Sequence, residues 1–289
     1  MAQELAAKPL RDQELSNLQE QCAQLKKQGV WPHLKVILVG DHPPSVIYTR
    51  NKKNFCESFG ARCEIVKLPE SISEADFLKK LSEIASDADV NGCFVQLPLP
   101  KQLSQLDVGK LIPPEKDVDG FHPLNLARIL EGDEQGLVPC TPKGIMTLLD
   151  YYNIDVASKH VVIIGRSLIV GKPLSLLMTN HNATVTLCHS RTQNLENYTK
   201  SADIIVSAVG IPKLIGSEHL RQRRDQVLID VGMNKNDDGS LCGDMDLEQM
   251  ADHCSAYTPV PGGIGPMTIF SLAQNLLQAA RFSLQNPGR

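Results

Sequence analysis

HVVIIGRSLIVGKPLSLLMTNHNATVTLCHS (160–190) reads as strand, turn, helix, strand. Its first segment, HVVIIG (160–165), is short, apolar on both faces and rich in Val and Ile, as a parallel strand covered on both sides must be. Gly165 lets the chain turn tightly, GKPLSLLMTNH (171–181) carries apolar residues at helical spacing, and ATVTLC (183–188) is a second buried strand. Such a turn leaves amide N–H groups free at the helix N-terminus, where a phosphate binds. The spacing departs from G-x-G-x-x-G: Ser167 stands where the second glycine would, and the next glycine is Gly171. Taken alone, the turn is also compatible with an ordinary strand-to-helix connection.

The end of the second strand narrows the choice. A dinucleotide without a 2′-phosphate usually meets an acidic residue there. Here the chain reads Cys188-His189-Ser190-Arg191-Thr192, with no acid. Ser190 and Arg191 suit a 2′-phosphate through charge-assisted hydrogen bonds, and Arg166 beside the turn is a second candidate clamp. NADP is therefore expected over NAD. The alternative is that both arginines are solvated surface charges.

Outward from this unit the same alternation continues. LKVILVG (34–40), ARCEIVKL (61–68), GCFVQL (92–97), DIIVSAV (203–209) and QVLIDVG (226–232) read as buried strands. PPSVIYTRNKKNFCESFG (43–60), EADFLKKLSEIASD (74–87) and TPKGIMTLLDYYN (141–153) read as helices, the first opened by prolines and closed by Gly60. Alternating strand and helix predicts an α/β architecture. A chain of 289 residues suits two domains better than one. The expected boundary lies near Pro139 to Pro142. Residues 1–140, rejoined by a last helix and tail at 267–289, form the first domain; residues 141–266 form a Rossmann-like second, with a cleft between the two.

The bulk numbers exclude some classes. A net charge of −4 gives no general pull toward nucleic acid or anionic membrane. No run of about 18 apolar residues exists, and MAQELAAKPLRDQEL lacks the apolar core of a secretory signal, so a cytoplasmic protein is expected. Eight cysteines, none spaced C-x-x-C and several inside apolar runs, read as buried free thiols, with neither disulfide nor metal implied.

The first half carries the candidate chemistry. Tyr48 and Lys52 lie four apart on the 43–60 helix and so share a face. Gln96 ends a buried strand just before LPLP, where α/β sheets bind ligands. PEKDVDGFHP holds Asp117 and Asp119; the D-x-D-G pattern resembles a metal loop, but no acids follow at calcium-binding spacing. An Asp shaping the turn before Gly120 is the plainer reading. TPVPGGIGPMT (258–268) exposes backbone N–H groups and lets a flat ligand approach closely, or is simply an irregular connection.

In order along the chain, Tyr48-x-x-x-Lys52, VQLPLP (95–100), KDVDGFHPLN (116–125), PCTPKGI (139–145), GRSLIVGKP (165–173), HSRT (189–192), DVGMN (230–234), GDMD (243–246) and PVPGGIGPMT (259–268) resemble one family. It is the bifunctional methylenetetrahydrofolate dehydrogenase/methenyltetrahydrofolate cyclohydrolase of the bacterial FolD type. The length fits a stand-alone enzyme, so no attached formate–tetrahydrofolate ligase domain is expected. The resemblance implies NADP-dependent oxidation of 5,10-methylenetetrahydrofolate and hydrolysis of the methenyl product to 10-formyltetrahydrofolate. By position Lys52 matches the catalytic lysine, Tyr48 the residue that packs on and orients the folate, Gln96 the partner of the lysine, and Asp119 the carboxylate that grips the pterin. Val95, Leu97 and the segment Pro261, Gly262, Gly263, Ile264 and Gly265 match folate contacts. Gly165, Arg166, Ser167, Ser190, Arg191 and Met233 match cofactor contacts. A homodimer through the cofactor domain is also implied. Beside a cationic methenyl carbon, an uncharged Lys52 amine would help activate water or shuttle its proton.

The N-terminal thirty residues lack the family's usual opening, and Thr49, Arg50 and Asn51 are more polar than the family pattern. The alternatives are a dehydrogenase with weak or no cyclohydrolase activity, a non-catalytic folate- or nucleotide-binding protein of the same fold, and, more distantly, a shikimate-type dehydrogenase. The last would leave VQLPLP and PVPGGIGPMT unexplained.

Overall fold

In the computed structural model, residues 2–236 and 238–285 are described. In chain order the elements are β1 (Gln3–Glu4), α1 (Ala7–Lys27), β2 (His33–Val39), α2 (Pro43–Ser58), β3 (Arg62–Leu68), α3 (Glu74–Ser86), β4 (Gly92–Val95), α4 (Pro123–Leu130) and α5 (Cys140–Tyr151). Then follow β5 (His160–Ile164), α6 (Gly171–Asn180), β6 (Thr184–Cys188), α7 (Leu195–Ser201), β7 (Ile204–Ser207) and β8 (Val227–Asp230). The chain closes with β9 (Asn234–Lys235), β10 (Leu241–Cys242), α8 (Leu247–Met250), β11 (Ala256–Tyr257) and α9 (Ile264–Gln285). The chain divides into two compact units: Asp12–Cys140 with Ile269 onward, and the residues up to Arg11 with Thr141–Thr268.

The first unit holds a parallel sheet in the order β3-β2-β4. Central β2 is buried along nearly its whole length because neighbours cover both edges and helices both faces, which is why it reads as a continuous apolar run. Edge strand β3 alternates instead, with Arg62 and Glu64 exposed and Cys63 buried. Helix α3 starts at a Ser73 cap, whose hydroxyl accepts from the Asp76 amide at 3.1 Å, and buries Phe77, Leu81 and Ile84 against the sheet. Strand order reverses at β2, so the loops after β2 and β4 flank a switch point, where open α/β sheets take ligands.

The second unit holds a six-stranded parallel sheet, β1-β11-β8-β7-β5-β6. Here the order reverses at β5, so the loops after β5 and β7 flank its switch point. The expected strands and helices are present. The two-domain α/β fold is as expected, and both main sheets are parallel. All eight cysteines are buried, and none is in a disulfide. Among the described residues no helix is long and apolar enough to cross a membrane.

Two expectations need correction. The residues up to Arg11 do not join the first unit: β1 pairs with β11, and the Ala7 amide donates to Gly262 O at 2.9 Å, so backbone pairing holds them to the second sheet. The last helix begins at Ile264, three residues before the expected start, because Gly265 and Pro266 are tolerated in a first turn whose N–H groups have no helical partner.

Asn275 of α9 ties the first unit's chemistry loop down. Its amide donates to Val118 O at 2.9 Å and Val138 O at 2.7 Å, and it is fully buried. Asn275→Ala leaves two buried carbonyls without that donor and should destabilise the protein by about 2–4 kcal/mol, read from urea unfolding of the whole chain.

Candidate active site

In the first unit a candidate site forms on one face of α2. Ser45, Thr49, Lys52 and Cys56 recur at helical spacing along its buried side, so Lys52 is drawn in with the core stripe and is only 8% exposed. The polar Thr49 costs little there, since its hydroxyl donates back to Ser45 O at 2.9 Å. Arg50 and Asn51 face solvent.

The Lys52 Nζ donates to Gln96 Oε1 at 3.3 Å and stands 3.9 Å from the centroid of the Phe94 ring, a cation–π contact. Gln96 Nε2 donates to Leu97 O at 2.8 Å, which orients the amide with its oxygen toward the amine. The Ser45 hydroxyl donates to the same Leu97 carbonyl at 3.4 Å, joining the start of α2 to the loop after β4. Tyr48, one turn before Lys52, is half-buried, and burial pushes its phenol above the ordinary value.

Asp117 and Asp119 divide two tasks. Asp117 is buried and accepts from the Gly120 amide at 3.2 Å, the His122 amide at 2.6 Å and Asn125 Nδ2 at 3.1 Å. Gly120, at φ +81°, closes the turn so near Pro139 that a side chain would not fit. Asp117 therefore builds the turn. Burial pushes the Asp119 carboxyl above the ordinary carboxylate range, while the charge of Lys52 pulls it down, so the two groups lie within electrostatic reach.

In the second unit a separate candidate site surrounds the β5 turn. Gly165 has φ +119°, and a side chain there would collide with Ala208 O of the loop after β7; one on Gly171 would collide with Gly165 O. The two glycines thus let the turn, the start of α6 and the β7 loop pack together. Ser167 Oγ accepts from the Val170 amide at 3.1 Å, and Ser167 is exposed, as are Arg166, Ser190 and Arg191. Among the described residues neither guanidinium meets a carboxylate. The glycine cradle, the N-terminus of α6 and unpaired arginines form a donor set that fits a phosphorylated dinucleotide.

Not every expected contact points into a site. Val95 and Ile264 bury their side chains in the core, leaving only their backbone available. Gly262, at φ +114°, and Gly263, whose amide donates to Pro259 O at 2.8 Å, shape the turn into α9. Gly265 lies against Met233 Cε, which brings a residue expected at the cofactor beside the segment expected at the folate. Pro261 follows a cis peptide bond, as does Pro98 after Leu97.

Sequence reading missed Phe94, although alternation along β4 puts Phe94 and Gln96 on the same face. It also missed Ser45, whose partner is a backbone carbonyl that no pattern reveals.

Comparison with known proteins agrees with both halves. Residues 5–119 match the tetrahydrofolate dehydrogenase/cyclohydrolase catalytic domain, and residues 139–284 match the NAD(P)-binding domain of the same family. The chain belongs to the tetrahydrofolate dehydrogenase/cyclohydrolase family. Among its relatives, the bifunctional protein FolD of Anoxybacillus flavithermus is 46% identical, covering 94% of this chain and 95% of its own. The crystal structure of the bifunctional FolD dehydrogenase/cyclohydrolase from Campylobacter jejuni superposes with a TM-score of 0.93 at 39% identity, over 98% of this chain and 99% of that one. The Trypanosoma brucei FolD structure, complexed with NADP cofactor and inhibitor, gives 0.91 at 29% identity, over 98% and 99%.

The buried turn-builder has a pH signature. Burial raises the Asp117 carboxyl from 3.8 to about 6 in the folded chain, against the pull of its three hydrogen bonds. A raised carboxyl lends stability that is complete below about pH 4 and is lost as pH rises through about 6. The stability of the wild type relative to Asp117→Asn should therefore fall between about pH 4 and 7. Thermal melts of both proteins across that range check it, and a difference that stays flat or grows would show the shift to be wrong.

Proposed function

We propose that the chain oxidises 5,10-methylenetetrahydrofolate with NADP and hydrolyses the methenyl product to 10-formyltetrahydrofolate, with Lys52 as the group that serves the hydrolysis. The observation that carries this reading is the Lys52 amine, almost wholly buried, between the Gln96 amide oxygen and the Phe94 ring at the switch point of the first sheet. The amide oxygen accepts from the amine and the aromatic face packs on it, which holds the amine in place. An amine held there is placed to take a proton from attacking water and return it.

Tyr48, on the same helix face, packs on and orients the folate, and Leu97 lines its pocket. Asp119 accepts from the N–H edge of the pterin, a carboxylate facing paired donors. The backbone of Pro261 to Gly265 offers a flat surface for the ring system. Gly165, Arg166, Ser167, Ser190, Arg191 and Met233 hold NADP, with Ser190 and Arg191 on its 2′-phosphate; when bound, NADP supplies the hydride acceptor. The residues have little acid–base work in that oxidation and contribute mainly position. In the cell we place the protein in the cytoplasm as a homodimer formed through the cofactor unit; sedimentation of the purified protein checks the mass.

Lys52→Met should keep the fold but lose hydrolysis of methenyltetrahydrofolate, followed by decay of the methenyl absorbance. A variant that opens the ring at the normal rate removes Lys52 from the mechanism. Arg191→Ala should weaken NADP binding by about 1.5–3 kcal/mol, the worth of a charge-assisted contact, and leave NAD binding nearly unchanged. Parallel titrations with both cofactors decide this, and equal losses would contradict the 2′-phosphate assignment.

A further inference from the structure

Backbone amides that leave a buried strand must find acceptors. After β7, three successive amides converge on one side chain: Val209 N at 2.7 Å and Gly210 N at 3.3 Å from Asp244 Oδ2, and Ile211 N at 3.0 Å from Asp244 Oδ1. Gly210, at φ +69°, belongs to this curl. Successive amides turned inward in this way form a concavity that binds anions. Here the anion is built into the chain.

The same carboxylate accepts from Ser207 Oγ at 3.2 Å and Asn234 Nδ2 at 2.9 Å, and Asp244 is fully buried. Gly232 passes so close to it that a side chain would collide with Asp244 Oδ1. Asp230 completes the arrangement from β8, accepting from the Gly232, Asp244 and Met245 amides at 2.9, 3.0 and 2.8 Å. Three stretches are thereby gathered on one charge. One is the β7 loop, whose Ala208 carbonyl abuts Gly165. The second is the β8 loop, with Met233 next to the Asn234 that is bonded to the carboxylate. The third is the GDMD segment itself. The first flanks the sheet's switch point, and the second follows β8, the strand next to β7.

We propose that Asp244 is a positioning residue for the oxidation step: an internal anion that holds the loops after β7 and β8 in the form that receives NADP, with Asn234 as its link to Met233. This rests on the function proposed above. It also accounts for selectivity between anion sites. The amides after β7 are filled from within, so a ligand phosphate is directed to the turn at Gly165 and the N-terminus of α6.

Asn234→Ala removes one of the five bonds and leaves the carboxylate otherwise satisfied, so the protein should fold. The KM for NADP and the dissociation constant of reduced NADP, from its fluorescence, should each rise about tenfold, the scale of one hydrogen bond to a charged group. The KM for the folate and the rate of methenyl hydrolysis without cofactor should stay at the wild-type level. Asp244→Ala should lose cofactor affinity more completely, and added formate, which replaces the missing carboxylate, should restore it where chloride at equal ionic strength does not. Unchanged NADP affinity in Asn234→Ala overturns the proposal. So does an equal loss of both activities, which marks a merely structural role, or a folded Asp244→Ala for which formate does no more than chloride. If Asp244→Ala fails to fold, Asn234→Ala decides alone. A wild type that binds NADP but oxidises no folate overturns the proposed function instead, while the affinity measurements still test Asp244.

Discussion

At the C-terminal ends of buried parallel strands, backbone amides leave the ladder with no partner and no water, and most of this structure's functional geometry follows from how they are satisfied. Three buried aspartates supply the acceptors. Asp117 gathers the Gly120 and His122 amides in the first unit. Asp230 and Asp244 gather the loops after β7 and β8 in the second. Burial raises the carboxyls of both Asp117 and Asp230 to about 6, so desolvation outweighs their hydrogen bonds. They are structural anions whose placement leaves other groups free for ligands.

Asp119 and Asp117 show the division most clearly. The residues are two apart on one turn, yet one spends its lone pairs on the chain and the other stands within the field of Lys52. Helix α2 makes a similar economy. Its buried stripe of Ser45, Thr49, Lys52 and Cys56 carries the amine inward, where Phe94 of β4 and Gln96, just after that strand, meet it. A surface lysine at the same helical spacing would be solvated and mobile. Packed against an aromatic ring and an amide, this one is fixed.

Much of this was legible in the chain. The runs of Val and Ile that became β2, β5, β7 and β8 have to be apolar on both faces because parallel strands are covered on both sides. Glycines at 120 and 165 declared tight turns, and Tyr48-x-x-x-Lys52 declared a shared helix face. The structure differs where tertiary pairing overrides local pattern. The residues up to Arg11 carry mixed charge and no strand signal, yet β1 adds to the second sheet through β11. Val95 and Ile264 fall inside recognisable motifs, but their side chains belong to the core.

The sequence by itself determined the α/β class and the positions of nearly all the long elements, while Lys52, Gln96, Asp119 and Gly165 stood out through the resemblance to one family. Periodicity and turn chemistry are local, and each can be read from a few consecutive residues. Only the tertiary structure decided that Phe94 and Ser45 complete the lysine's surroundings, that Asp117 and not Asp119 builds the turn, and that Asp244 binds amides more than thirty residues upstream. Those facts depend on which strand ends become neighbours, and a buried carboxylate finds its donors only once the sheet has brought them together.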